Sequence, residues 1–183
     1  MASQEGCGEE GGSAVTFLFI DFAERYSAAI LMDVDGVVLG ESTCDHGALS
    51  RPPTAEQMLA VCDAAHEWAT GGVMRTMLED AQVVAIEDVN PFVINPKPVL
   101  RAQGVFFRAC RDVSGVVPLL VQPSIWQRHH GYKKQKGVTS KGWAKALCTE
   151  LGYTAGGKGK QNVDLRDAFL GARWMSETLG KDI

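Results

Sequence analysis

Hydrophobic positions along the chain fall into two kinds of block. "AVTFLFID" (14–21), "YSAAILMD" (26–33), "VVLGES" (37–42), "AQVVAIED" (81–88) and "GVVPLLVQP" (115–123) are short, rich in β-branched and aromatic residues, and bounded by polar or turn residues. Each predicts a strand. Asp35-Gly36, between the second and third, predicts a tight type I′ hairpin, whose two central residues both need positive φ. Residues 54–68, "TAEQMLAVCDAAHEW", predict a helix whose apolar face is Met58, Leu59, Val61, Cys62 and Ala65. Thr54 is its N-cap and Gln57 stands in the capping-box position. From Val99 to Val113 a second helix is apolar over a wide arc, with Val99, Ala102, Phe106 and Cys110 on one side and Leu100, Val105, Phe107 and Ala109 around it. A helix laid on one sheet face needs a narrower stripe, so a second buried contact is expected. A short helix near Ser124–His130, one over 139–151 and a last one over 164–179 complete the pattern.

Three hairpin-connected strands followed by helix, strand, helix, strand and helices predict an α/β chain with a mixed sheet of five strands and helices on both faces. The helix after the third strand can act as a crossover, so strands one and four can pair in parallel. Their C-terminal ends carry Asp21 and Glu87, which then become neighbours. This is the ribonuclease H-like order of elements. Residues 15–183 are expected to form one domain of that kind, and residues 1–14, rich in Gly, Ser and Glu, a disordered tail.

Composition narrows the class. The chain has 183 residues, 45% hydrophobic and 22% charged, as in an ordinary soluble globular protein. No apolar run approaches the ~20 residues of a membrane helix, and the N-terminus has neither a basic n-region nor an apolar h-region. Cys7, Cys44, Cys62, Cys110 and Cys148 are widely spaced and odd in number, the pattern of incidental thiols in a reducing compartment. A cytoplasmic or nucleoid-associated protein is expected, with an organelle or phage origin left open. His129-His130 lack metal-ligand spacing and read as structural.

Charge changes the picture more. The net charge of −4 argues against nucleic acid, but its distribution does not. Between Asp112 and Glu150 there is no acidic residue, while Arg128, Lys133, Lys134, Lys136, Lys141 and Lys145 are interleaved with Trp126, Tyr132 and Trp143. An acidic molecule with one basic, phosphate-neutralising face is the better description. The three aromatics read as packing rather than base-stacking residues, and Phe92, in a polar loop beside Pro91, is the better stacking candidate.

The candidate chemistry lies in four acids. Asp21 ends strand one, Glu87 ends strand four, and Asp164 and Asp167 stand at i and i+3 on one face of the last helix. Carboxylates converging from three elements repel one another unless cations sit among them, and hard divalent ions such as Mg²⁺ take oxygen ligands in this way. Two such ions ~3.5–4 Å apart serve in-line phosphoryl displacement. Singly, Asp21 could be a solvated strand end and Asp164 a helix N-cap. Glu87 after "VVAI" is harder to explain away, because a buried, unpaired carboxylate is costly.

"FLFIDFAERYSAAILMD", "VVAIEDVNPF", "VLRAQGVFFRA", "PSIWQRHHGYKKQKGVTSK" and "NVDLRDAFLGARW" resemble, in order and spacing, the RuvC family of Holliday-junction resolvases over nearly the whole chain from about residue 15. "NPF" soon after the glutamate makes the chain look closer to phage-type or plant chloroplast resolvases than to the standard bacterial enzyme. The resemblance implies a ribonuclease H-like homodimer that nicks four-way DNA junctions in pairs, and the wide apolar arc of helix 99–113 offers that dimer a contact. It implies Asp21, Glu87, Asp164 and Asp167 as ligands of Mg²⁺, with Mn²⁺ a possible substitute, and Lys141 in "TSK" as the lysine at the scissile phosphate. DNA contacts are expected from Asn90, Phe92, Arg101, Arg128, Lys133, Lys134, Lys136, Lys141 and Lys145. The chain departs from the family at Phe22-Ala23, where Pro-Gly often follows the first aspartate, and at "RAQG" (101–104), which is close to the small-residue helix motif without matching it. The role of the Gly/Lys-rich stretch "TAGGKGKQ" (154–161) does not carry over.

Three other readings compete. A nucleic-acid-binding protein without catalysis would keep the basic face and lack the four acids, all of which are present. Another ribonuclease H-like nuclease, a ribonuclease H or a transposase-type enzyme, shares the metal chemistry. "DVDG" (33–36) resembles the nucleophile of haloacid-dehalogenase phosphatases, which would use Asp33 and Asp35. That superfamily places its motif on the first strand of a parallel sheet and follows it with a helix; here a strand precedes and a strand follows.

Overall fold

A computed structural model describes residues 15–23, 25–50, 53–89, 97–156, 159 and 161–181. Strands β1 (Thr16–Asp21), β2 (Tyr26–Asp33) and β3 (Val38–Asp45) are followed by helices α1 (Ala55–Thr70) and α2 (Gly72–Asp80) and strand β4 (Val83–Glu87). Then come α3 (Lys97–Ser114), β5 (Leu119–Val121), α4 (Pro123–His129), α5 (Ser140–Glu150) and α6 (Gln161–Thr178). The five strands form one sheet in the order β3-β2-β1-β4-β5. The first three pair antiparallel, whereas β1 with β4 and β4 with β5 are parallel. The mixed sheet and its parallel β1–β4 centre are as the order of elements predicts.

Alternation along the strands divides the core. Leu18, Ile20, Phe22, Val84 and Ile86 pack under α1, α2 and α3; Phe17, Phe19, Ala85 and Val121 pack against α4, α5 and α6. By the same two-residue period Asp21 and Glu87 project toward the α6 face, at the ends of adjacent parallel strands. Helix α6 lies very close to that face. A methyl group on Gly171 would sit 2.4 Å from the Phe19 ring, so only glycine permits this approach.

The Thr54–Gln57 capping box forms as expected. The hairpin does not. Gly36 N–H donates to Asp33 O, and Asp33 N–H to Val37 O, so Val34 and Asp35 are the central residues of a three-residue loop in which Gly36 takes φ 81°. That is the turn-plus-bulge solution, not type I′. Helix α2 was not anticipated, because Gly71-Gly72 reads as a terminator; its buried Met74, Met77 and Leu78 carry the helical spacing. Leu59 points to solvent at 63% exposure, since α1 buries the narrower stripe Val61, Ala65 and Ala69. Strand β5 is shorter than expected and lies at the sheet edge, with Leu119 and Leu120 exposed. Part of the wide apolar arc of α3 is covered within the chain: Trp68 of α1 stacks on Phe106 at 5.0 Å. Leu100 remains exposed.

Candidate metal and nucleic-acid site

The strand ends, α6 and α5 bring the expected acids into one cleft of about 750 Å³, lined by Asp21, Glu87, Asp88, Gln122, Tyr132, Lys134, Ser140, Lys141, Asp164 and Asp167 among others. Asp21 and Asp164 are buried, and Glu87 and Asp167 are half-buried. Helix α6 begins at Gln161, so Asp164 lies inside its first turn and does not cap it. Asp167 follows one turn later on the same face. Thr139 caps α5, accepting from Gly142 N–H at 3.1 Å, and so orients its first turn. From there Lys141 Nζ reaches 3.5 Å from Asp164 Oδ1 and 3.8 Å from Asp167 Oδ2.

These carboxyls disturb one another. Burial, then the charges of Glu87, Asp167 and Asp164, hold Asp21 well above the usual carboxylate range, against the pull of Lys141. Burial and Asp167 raise Glu87 to about 8, although the Trp126 hydrogen bond and Lys141 oppose it. Burial raises Asp167 to about 6, with Lys141 the main opposing influence. One ammonium does not offset this much negative charge, and the group retains protons that a stronger cation would displace. The donor set fits a hard divalent ion: the ligands are all oxygens, and no described cleft residue is a histidine or cysteine.

Second contacts orient the glutamate. Trp126 is buried, and its Nε1–H donates to Glu87 Oε2 at 3.0 Å. Buried Gln103 of α3 donates to the Glu87 carbonyl at 2.7 Å, and Gln122 donates to the Asp88 carboxylate. From sequence alone Trp126 reads as a packing residue, and Gln103, within "RAQG", has no role. The available signal was that a buried indole N–H needs an acceptor.

The basic interval surrounds this cleft unevenly. Tyr132 and Lys134 line it with Lys141, whereas Arg128, Lys133, Lys136 and Lys145 are exposed and outside its lining. Trp143 stacks on Trp126 at 6.3 Å and meets Tyr132 at 4.9 Å, so these aromatics are packed together, as expected. Arg101 is exposed on α3, where its charge is felt by Cys62 of α1. Asn90 and Phe92 lie outside the described residues. Asp33 is nowhere near: its carboxylate accepts from Val37 N–H at 2.8 Å in the hairpin, and it pairs with Thr16 at the opposite end of β1 from Asp21.

Among the described residues, His129, His130 and Glu177 form a trio whose ligand atoms lie within 4.8 Å of one another. Both Nε2 atoms and the Glu177 carboxylate already have protein partners. Glu177 bonds Arg173 Nε and His129 Nε2, each at 2.8 Å, and His130 Nε2 bonds the Leu170 carbonyl at 2.8 Å. The trio ties α4 to α6, and its ligand atoms converge although adjacent histidines have no regular ligand spacing in the sequence.

No family model and no curated protein matches the sequence. Solved structures do match. The chain superposes on Thermus thermophilus RuvC with a TM-score of 0.59 and 15% identity, covering 91% of this chain and 97% of that one. On T. thermophilus RuvC in complex with a Holliday junction substrate the TM-score is 0.57 at 14% identity, covering 89% and 95%. The fold is therefore RuvC-like, within the ribonuclease H-like class, as the order of elements implied.

Proposed function

We propose that this protein is a metal-dependent endodeoxyribonuclease that resolves four-way DNA junctions by paired nicking. The observation that carries this reading is the convergence of Asp21, Glu87, Asp164 and Asp167 with Lys141 in one cleft whose lining also includes Lys134 and Tyr132, on a RuvC-like fold. The four carboxylates hold divalent cations, two per site, with Mg²⁺ first and Mn²⁺ as a substitute. When bound, these ions supply polarisation of the phosphodiester and a water acidic enough to attack it. Glu87 is aimed by Trp126 and Gln103, and Asp21 by its strand end. Lys141, released from Asp164 and Asp167, donates to an oxygen of the scissile phosphate and offsets the charge that develops there. Lys133, Lys134 and Lys136 neutralise neighbouring phosphates without reading bases. A homodimer through α3, with exposed Leu100 in its contact, presents two such clefts to a substrate that is itself nearly two-fold.

The test is cleavage of a labelled four-way junction beside a linear duplex of the same sequence, with Mg²⁺ and with EDTA. Symmetric, metal-dependent nicks in the junction alone are expected. Equal cleavage of the duplex would move the assignment to a general ribonuclease H-like nuclease. Hydrolysis of a small phosphomonoester without any nicking would overturn the reading altogether.

A further inference from the structure

The β1–β2 ladder ends at the pair Asp21–Ala28, so beyond Asp21 the chain leaves the sheet without strand pairing to hold it. A different restraint takes over. Ala23 N–H donates to Ser27 Oγ at 3.2 Å, and Ser27 Oγ lies 2.7 Å from His46 Nε2. His46 Nδ1 lies 3.4 Å from Cys44 Sγ, and Cys44 Sγ–H points at the Ala64 carbonyl of α1 at 4.0 Å. Ser27 and His46 are both buried.

One ordering of the donors and acceptors gives every polar atom in this row a partner. The Cys44 thiol gives its proton to Ala64 O, so its sulfur accepts from His46 Nδ1–H. His46 Nε2 is then bare and accepts the Ser27 hydroxyl, whose oxygen accepts Ala23 N–H. His46 is thus neutral and Nδ1-protonated; burial also disfavours its charged form. The imidazole has a second role, because its ring meets Phe22 at 5.1 Å and Trp68 at 6.2 Å, and Phe22 in turn meets Phe106 at 5.3 Å. One side chain therefore restrains both residues that follow Asp21, and Phe22 and Ala23 line the same cleft as the acids.

We infer that His46, through Ser27 and Phe22 and backed by Cys44, is a positioning residue that fixes the corner after β1 and thereby holds the Asp21 carboxylate in the cation site. This rests on the nuclease reading of the cleft, but its test does not need cleavage.

The decisive set is Ser27→Ala, His46→Phe and the double variant. Ser27→Ala leaves the bare His46 Nε2 buried without a donor, and His46→Phe keeps the ring but leaves the Ser27 hydroxyl unpaired; each costs stability. The double variant removes both ends of the Ser27–His46 bond, so its Tm should recover most of the loss, short of the Ala23 N–H bond that Ser27 Oγ no longer accepts. Three readings are then taken without DNA: Mn²⁺ affinity by calorimetry, exchange protection of the Ala23 amide, and the His46 tautomer by long-range proton–nitrogen NMR. We expect the parent histidine as Nδ1–H, and in the double variant an Ala23 amide that has lost protection. Its Mn²⁺ dissociation constant should rise about tenfold, the lower end of what losing an outer-shell partner costs. If Mn²⁺ affinity recovers together with Tm, the row is merely structural and the inference fails. A parent histidine protonated on Nε2 would overturn it as well. A parent that binds no Mn²⁺ would instead remove the nuclease reading on which it rests.

Discussion

Asp21 and Asp33 make a controlled comparison. Both are the last residues of apolar strands, and those strands are antiparallel neighbours in one sheet. The two aspartates thus lie at opposite ends, roughly 17 Å apart at five residues' rise along β1. Asp33 sits at the β2–β3 hairpin, where its carboxylate accepts from Val37 N–H. Asp21 meets β4 and α6 and is buried among Glu87, Asp164 and Asp167. The same residue at the end of the same kind of strand becomes a turn in one place and a candidate ligand in the other. What separates them is which elements the topology delivers to that end. A parallel neighbour brings a second strand C-terminus, whereas an antiparallel one brings a turn.

Substitutions should divide along this line. The largest effect is expected from Asp21→Asn, which should lower junction cleavage by ~10³-fold or more while junction binding by gel shift stays intact. Asp33→Asn should leave cleavage within about twofold. Loss of binding along with cleavage at Asp21 would instead make that residue structural. Next, Lys141→Ala should slow single-turnover cleavage by about 10²-fold, as for other transition-state charge donors, with a smaller loss of affinity. An effect confined to affinity would contradict its place at the reacting phosphate. Trp126→Phe deletes the N–H bonded to Glu87 and part of a fully buried ring; about a tenfold loss of cleavage is expected, with a Tm lower by several degrees.

The smallest effect is on stability, and its sign follows from protonation. A carboxyl whose folded pKa is raised binds its proton more tightly when folded than when unfolded. Its stabilising contribution is full below the unfolded pKa and is lost as pH rises through the folded one. For Glu87 that window runs from about pH 4.5 to about 8. In EDTA, Tm should fall across this window, and Glu87→Gln should flatten the fall and exceed the parent by about 5 °C at pH 8, at ~2–4 °C per kcal/mol. Divalent cation should remove that advantage. A parent Tm that rises over the same window would contradict the electrostatics described.

How much of this was legible in the sequence follows the same division between local and tertiary causes. Strands β1 and β2, the Thr54 cap and the i, i+3 spacing of Asp164 and Asp167 depend on neighbours in the chain, and periodicity reads such things directly. Asp21 and Glu87 were visible because each ends an apolar run that alternation leaves pointing at a known face. The Trp126 and Gln103 contacts to Glu87 were not visible, since each joins residues many positions apart through packing of α4 and α3. The His46 row was hidden for the same reason. Helix α2 was masked by Gly71-Gly72, and the hairpin differed by one residue because Asp-Gly serves both a type I′ turn and a turn with a bulge. Leu59 misled because helical spacing identifies an apolar arc without saying how narrow a stripe the alanine-rich α1 buries.

On the proposed function, topology makes Asp21, and not Asp33, part of a divalent-cation site. The most direct measurement is Mn²⁺ calorimetry without DNA on the parent, Asp21→Asn and Asp33→Asn proteins at one pH. Saturable binding is expected in the parent and in Asp33→Asn, and none in Asp21→Asn. Binding that survives Asp21→Asn, or is absent from the parent, would contradict this reading.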